Sequence, residues 1–169
     1  LSLMLPQALA GIGSVGVLYV LVRRTFGVPA AFLAAFALAL TPISVATNRD
    51  NNIDSMLVLV VLLAAWAVQK AAELGQLRWL LLGAALVGLG FNIKMLEAFL
   101  VLPALGLLYA VSAPRGWRVR ALHLALATVV LLVVSLSWVV AVDLTPANTR
   151  PYVGSSATNS ELNLAFGYN

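Results

Sequence analysis

The sequence has no cysteine, a single histidine and only six acidic residues among 169. Without cysteine there can be no disulfide framework, thiolate nucleophile or thiolate metal site. His123 has no second histidine near it, which leaves a metal site little to build on. Its place just after Arg120, at the start of an apolar run, reads as interfacial packing. No Ser/His/Asp set and no phosphate-cradling Walker loop is present. Charge is scarce as a whole: 9% of residues are charged and 62% are hydrophobic, against about 25% and about 45–50% in soluble domains. With a mean hydropathy of +1.01, the chain is too apolar for a soluble, disordered or coiled-coil protein. It reads as an integral membrane protein. The net charge of +4 lies in short segments between apolar runs, so no basic face for nucleic acid forms. No basic region precedes the first apolar run, and nothing points to a cleaved signal peptide. The chain opens at Leu1 without an initiator methionine and is read as a piece of a longer protein.

What is present is a series of apolar runs. A bilayer core of roughly 30 Å takes about 20 helical residues. Runs 3–22 and 28–46 meet that length and are separated by the basic turn Arg23-Arg24-Thr25-Phe26-Gly27. Residues 54–70 form a third span if Asp54 and Lys70 sit at opposite rims, and 121–142 form the last. The stretch 79–112 is too long for one ordinary span and carries Asn92, Lys94 and Glu97 near its middle. Two shorter helices, 79–92 and 95–112, fit better. Six spans put Arg23, Arg24, Lys70, Arg78, Arg115, Arg118 and Arg120 on one side and Arg49, Lys94 and Arg150 on the other. By the positive-inside rule the first side is cytoplasmic. Five spans would nearly erase the asymmetry. The expected fold is therefore all-α integral membrane, with about six transmembrane helices over 1–142, recessed outer-face loops, and an extracytoplasmic segment over 143–169. That final segment is either a loop or the start of an outer domain. The acidic residues Asp50, Asp54, Glu97, Asp143 and Glu161 all fall on the outer side, so polar chemistry gathers there.

Few motifs carry chemistry. Gly11, Gly13 and Gly16 match G-x-G-x-x-G, but inside a span, with no preceding strand and no acid about 20 residues on. Close helix packing by small residues accounts for them, as it does for Ala84 and Gly88. Between the second and third spans lies the polar stretch from Asn48 to Asp54. Asp50, Asn51 and Asn52 read as solvated loop. Arg49 flanks the membrane boundary, where a guanidinium can grip a phosphate with two hydrogen bonds. Asp54 has two readings: a carboxylate favoured by the positive end of a helix whose first turn it occupies, or a group that orients the ligand. Lys94 and Glu97, three apart, form a helix ion pair or, at a recessed position where charge is costly, a ligand-facing pair. A transporter or lipid flippase using the Lys94/Glu97 helix break is the competing function, since broken helices with charges near the midplane mark transporters. No internal repeat supports it. No cofactor is predicted, and no ligand cluster demands a divalent metal.

The order and spacing of these pieces resemble a known family. Thr41-Pro42, then Asn48-Arg49, four residues and Asp54 at the next span start, come first. The Gly88-Leu89-Gly90-Phe91-Asn92-Ile93-Lys94 break follows, then Arg150-Pro151-Tyr152-Val153-Gly154 and Gly167-Tyr168-Asn169. Together they resemble the bacterial branch of the polyprenyl-phosphate-sugar-dependent membrane glycosyltransferases, a group that includes protein O-mannosyltransferases and the aminoarabinose transferase of lipid A. The resemblance implies inverting transfer of a sugar from a polyprenyl-phosphate donor to a protein, glycan or lipid acceptor, on the outer face of a bacterial plasma membrane. It implies that Arg49 lies near the donor phosphate and that Asp54 shapes the same site. Lys94 would be a second phosphate contact, with Glu97 as its partner or on the acceptor side. It also implies a catalytic acid in a first outer loop, expected upstream of Leu1, so this segment alone is expected to be inactive.

Overall fold

The structure is a computed structural model in which residues 4–50, 52–146 and 148–167 are described. Asn51, Tyr168 and Asn169, which the sequence reading singled out, lie outside them. The described residues are helical and contain no strand. Four helical runs are long and apolar enough to cross a membrane: Leu5–Leu40, Asp54–Leu74, Leu77–Ser112 and Trp117–Asp143. Two of the four are 36 residues long, and each folds back on itself.

The first, α1 (Leu5–Leu40), is interrupted at Gly27, whose φ of 82° and ψ of 180° lie outside helical space. An L side chain rarely tolerates that backbone, and glycine does. Pro29, two residues on, cannot donate to the preceding turn. The rings of Tyr19 and Phe32 meet edge to face with centroids 5.2 Å apart, whereas a continuous helix would separate them by about 20 Å. The arms 5–26 and 28–40 are therefore an antiparallel hairpin. The first arm runs on through Arg23 and Arg24 because their neighbours tie it down: Arg24 pairs with Glu73 at 2.9 Å and Gln69 donates to Thr25 at 2.8 Å. The second arm stops at Leu40, before the expected Ala46. Thr41 is extended with ψ 119°, as expected before a proline, and Pro42 opens a separate short helix, α2 (Pro42–Thr47).

Helix α3 (Asp54–Leu74) ends at Gly75, in the left-handed region with φ 64°, a common helix terminator. Gly75 is doubly required, since a Cβ there would lie 2.9 Å from Arg115 Nε. Helix α4 (Leu77–Lys94) then runs to the second reversal. Lys94 has φ −145° and ψ 37°, and Met95 has φ 45°. A 3-10 helix, Met95–Val101, follows and leads into α5 (Leu102–Ser112). The rings of Phe91 and Phe99 stack across the reversal at 5.0 Å. The 3-10 turns rise faster than α turns, so the return limb 95–112 is about 30 Å long, and α4 is about 27 Å. Both exceed the lengths expected from the apolar run alone and come close to the roughly 30 Å of a bilayer core.

Helix α6 (Trp117–Asp143) closes the bundle, and a short α7 (Glu161–Gly167) follows. The core lies between α3, α4, α5 and α6, around Ala64, Val68, Leu80, Val87, Tyr109 and Leu131. Glycine lets the helices approach closely: a Cβ on Gly83 would lie 2.6 Å from Val68 Cγ2, and one on Gly88 would lie 2.8 Å from Val134 Cβ. The expected small-residue packing face on α4 is there, and it meets α6. Gly11 lies inside α1, where an added Cβ would overlap the Asn48 side-chain amide. It serves packing.

The reversals sort the charges. One end of the bundle holds the turns at Gly27, Gly75 and 113–116, with all seven of the basic residues assigned together from the sequence. The other end holds Arg49, Asp54, Lys94, Glu97, Asp143 and Arg150.

Candidate functional site

Three of the four singled-out residues meet at that second end. Lys94 Nζ lies 2.6 Å from Asp54 Oδ1 and 3.1 Å from Glu97 Oε2. Asp54 reaches this point because it opens α3, with its backbone N–H held by Asn52 Oδ1 at 3.1 Å. Lys94 reaches it because α4 ends there, and Glu97 because the 3-10 turn carries it back over the break. The lysine side chain is 33% exposed, Asp54 31% and Glu97 48%. The cluster sits at the rim of the bundle, open to an arriving ligand.

One ammonium shared by two carboxylates leaves the cluster with one net negative charge. An ammonium has three protons to donate, and two are directed at Asp54 and Glu97, leaving one for a further acceptor. Asp54 thus does more than favour its own helix terminus: it ties the start of α3 to the end of α4, 40 residues later. The i,i+3 pairing of Lys94 with Glu97 also forms.

Arg49 stands apart from this cluster. It lies on the turn between α2 and α3, exposed, and among the described residues no ion pair engages it. The turn is anchored by Asn48, whose side chain packs on Gly11 of the first arm, and by Thr47, whose hydroxyl donates to Ile43 O at 3.0 Å. A guanidinium on an anchored turn, five residues before Asp54, is placed to receive an anion without first giving up a carboxylate.

The segment after α6 folds back on this end. Asp143 caps α7: its carboxylate accepts from Ser160 Oγ at 2.8 Å, Glu161 N at 3.0 Å and Leu162 N at 3.3 Å. Arg150 spans the loop from inside, donating to Thr145 O at 3.1 Å and Asn159 O at 3.2 Å and also to Asp143 O. Its guanidinium is committed to its own loop, so Arg150 acts here as a tie. Asn159, with φ 53°, accepts from Val153 N at 2.6 Å. Ala165 of α7 is buried against Phe91 and Val139, with Met95 and Phe99 beside it. The tail thus braces the backbone behind Lys94, and Asn92 adds a bond to Val134 O at 2.9 Å.

Sequence reasoning missed the roles of Asp143, Asn159 and Asn48. Asp143 carried a signal in principle, because an acid can cap the helix that starts at Ser160-Glu161. Its distance along the chain hid the pairing. Among the described residues no three His, Asp or Glu side chains gather as a metal-binding group.

Comparison with known proteins gives this geometry a context. Two Bacillus subtilis (strain 168) proteins, described as "Putative mannosyltransferase YycA" and "Putative mannosyltransferase YkcB", are 53% and 52% identical over 168 residues, 99% of this chain. The chain spans 24% of the length of each. No solved structure gives a significant match. Residues 1–138 match the family described as Dolichyl-phosphate-mannose-protein mannosyltransferase, a stretch that contains both helix reversals and the Asp54–Lys94–Glu97 cluster. With that match over most of its length and its apolar helices, the chain is a multi-pass membrane segment and belongs to the Dolichyl-phosphate-mannose-protein mannosyltransferase family.

Proposed function

We propose that this segment forms part of the donor site of a membrane glycosyltransferase that moves mannose or a related sugar from a polyprenyl phosphate to an acceptor on the outer face of a bacterial plasma membrane. The observation that carries the proposal is the exposed Arg49, which no ion pair engages among the described residues, on the turn leading into the Asp54–Lys94–Glu97 cluster, at the end of the bundle opposite the seven basic residues. In this reading each 36-residue run crosses the membrane twice, giving six crossings, and the Arg23–Arg24 end faces the cytoplasm. The family's description, which names a lipid-phosphate-linked mannose, supports the choice of donor.

The chemistry assigns roles to the side chains. As the glycosidic bond breaks, negative charge grows on the departing lipid phosphate. Cations already fixed near it stabilise that charge without reorganising. Arg49 offers a planar fork for two phosphate oxygens, and Lys94 offers its remaining proton. Asp54 and Glu97 hold the lysine in position. The carboxylate base that activates the acceptor hydroxyl comes from outside these 169 residues, so the segment binds donor but does not turn it over. The closing test is sugar transfer by the full-length protein carrying Arg49→Ala or Lys94→Ala. The expected result is at least about a tenfold loss of kcat/KM for each, equal to about 1.4 kcal/mol. Unchanged turnover and donor affinity in both would remove the phosphate-site assignment.

A further inference from the structure

The opposite end of the molecule carries a second feature that the transferase reading does not use. Between the first arm of α1 and α3 runs an apolar cleft of about 290 Å³, lined by Gly16, Val17, Val20, Leu63 and Trp66. Val20 also lines a second cleft, of about 500 Å³, together with Arg23, Arg24 and Lys70. Gly16 and Val20 are four apart on one helix, as are Trp66 and Lys70 on the other, so the two clefts form one groove along the helix axes. A Cβ on Gly16 would meet nothing within 4 Å, which keeps the apolar part open.

The basic part has a net positive charge. Glu73 offsets Arg24, while Arg23 forms no ion pair among the described residues and faces the Tyr19 ring at 5.9 Å. Lys70 is held by aromatic faces, 3.9 Å from the Trp79 centroid and 4.9 Å from Trp66. Topology alone requires positive charge near this membrane surface, but it does not require three cations lining one cleft that continues into an apolar slot. An anionic head joined to an apolar chain matches both parts in order, and anionic lipids of the cytoplasmic leaflet supply that chemistry.

We infer that this groove binds an anionic glycerophospholipid, with its phosphate among Arg23, Arg24 and Lys70 and one acyl chain lying over Gly16 between Val17 and Leu63. The site is separate from the Arg49–Lys94 end and stands whether or not that end binds the donor. Native mass spectrometry of the delipidated full-length protein, titrated with phosphatidylglycerol, phosphatidylcholine and polyprenyl phosphate, tests it. Phosphatidylglycerol binds at least about tenfold more tightly than phosphatidylcholine, with each cation contributing about fivefold. The double variant Arg23→Gln/Lys70→Gln loses that preference, and Arg23→Lys keeps it. Gly16→Leu, which fills the slot, weakens both phospholipids equally. If the double variant does not fold, Lys70→Gln alone decides, through a loss of about fivefold. Equal binding of the two phospholipids, an undiminished preference in the glutamine variants, or polyprenyl phosphate binding tighter than that of phosphatidylglycerol and lost in Arg23→Gln/Lys70→Gln would overturn the inference.

Discussion

Replacing Lys94 with methionine keeps the aliphatic stem and removes the ammonium that Asp54 and Glu97 share at 2.6 and 3.1 Å. Lys94 and Asp54 are about one-third exposed and Glu97 about half, so each pair is screened and contributes at most about 1 kcal/mol. Lys94→Met removes both pairs and leaves two carboxylates facing each other, for a loss of about 1–2 kcal/mol. Asp54→Asn leaves the Glu97 pair in place and costs less, up to about 1 kcal/mol, and Glu97→Gln costs about 0.5 kcal/mol or less. The Asp54/Lys94 double-mutant cycle then gives a coupling of about 1 kcal/mol. None of these 169 residues is cysteine, so a single reporter can be placed in them: Ser135, buried at 1% exposure on α6, is replaced by cysteine in a full-length background cleared of any other cysteine. Its thiol reactivity against detergent titration reports opening of this bundle. If Lys94→Met proves no more destabilising than Glu97→Gln, the shared-ammonium account of the cluster fails.

Other positions give independent outcomes in the same assay. Gly88→Ala, which would place a Cβ 3.0 Å from Leu131 O, forces α4 from α6 and costs about 1–3 kcal/mol, whereas Gly106→Ala, with nothing within 4 Å, is neutral or stabilising by up to about 1 kcal/mol. Gly75→Ala meets both a left-handed backbone and Arg115, and lowers stability by about 1–2 kcal/mol. Arg150→Ala frees the carbonyls of Thr145, Asn159 and Asp143, so limited proteolysis should cut between residues 148 and 160 far faster than in the parent, while Arg150→Lys restores little protection because it cannot span three acceptors.

The sequence made the two reversals legible for different reasons. Gly27 with Pro29 after a pair of arginines is local turn chemistry. Asn92, Lys94 and Glu97 are polar residues in a run too long for one span. What stayed hidden was non-local or backbone-level. The 3-10 stretch 95–101 has no distinctive composition, and it lengthens the return limb beyond an α-helical count. The pairing of Lys94 with Asp54 crosses 40 residues, and nothing in either neighbourhood announces the partner. Arg150 read as one of three outer-side cations, and its hydrogen bonds are to main-chain carbonyls, which leave no trace in side-chain pattern. The small α2 arises from Pro42 interrupting an otherwise unbroken apolar run, which hydropathy alone does not register.

Binding of unglycosylated polyprenyl phosphate to the full-length protein tests the central claim most directly, because it isolates the phosphate contact from sugar, acceptor and turnover. The account predicts at least about a tenfold weaker affinity for both Arg49→Ala and Lys94→Met, and wild-type affinity for Arg23→Gln at the opposite end. Wild-type affinity in the Arg49 and Lys94 variants, or a loss confined to Arg23→Gln, would contradict it.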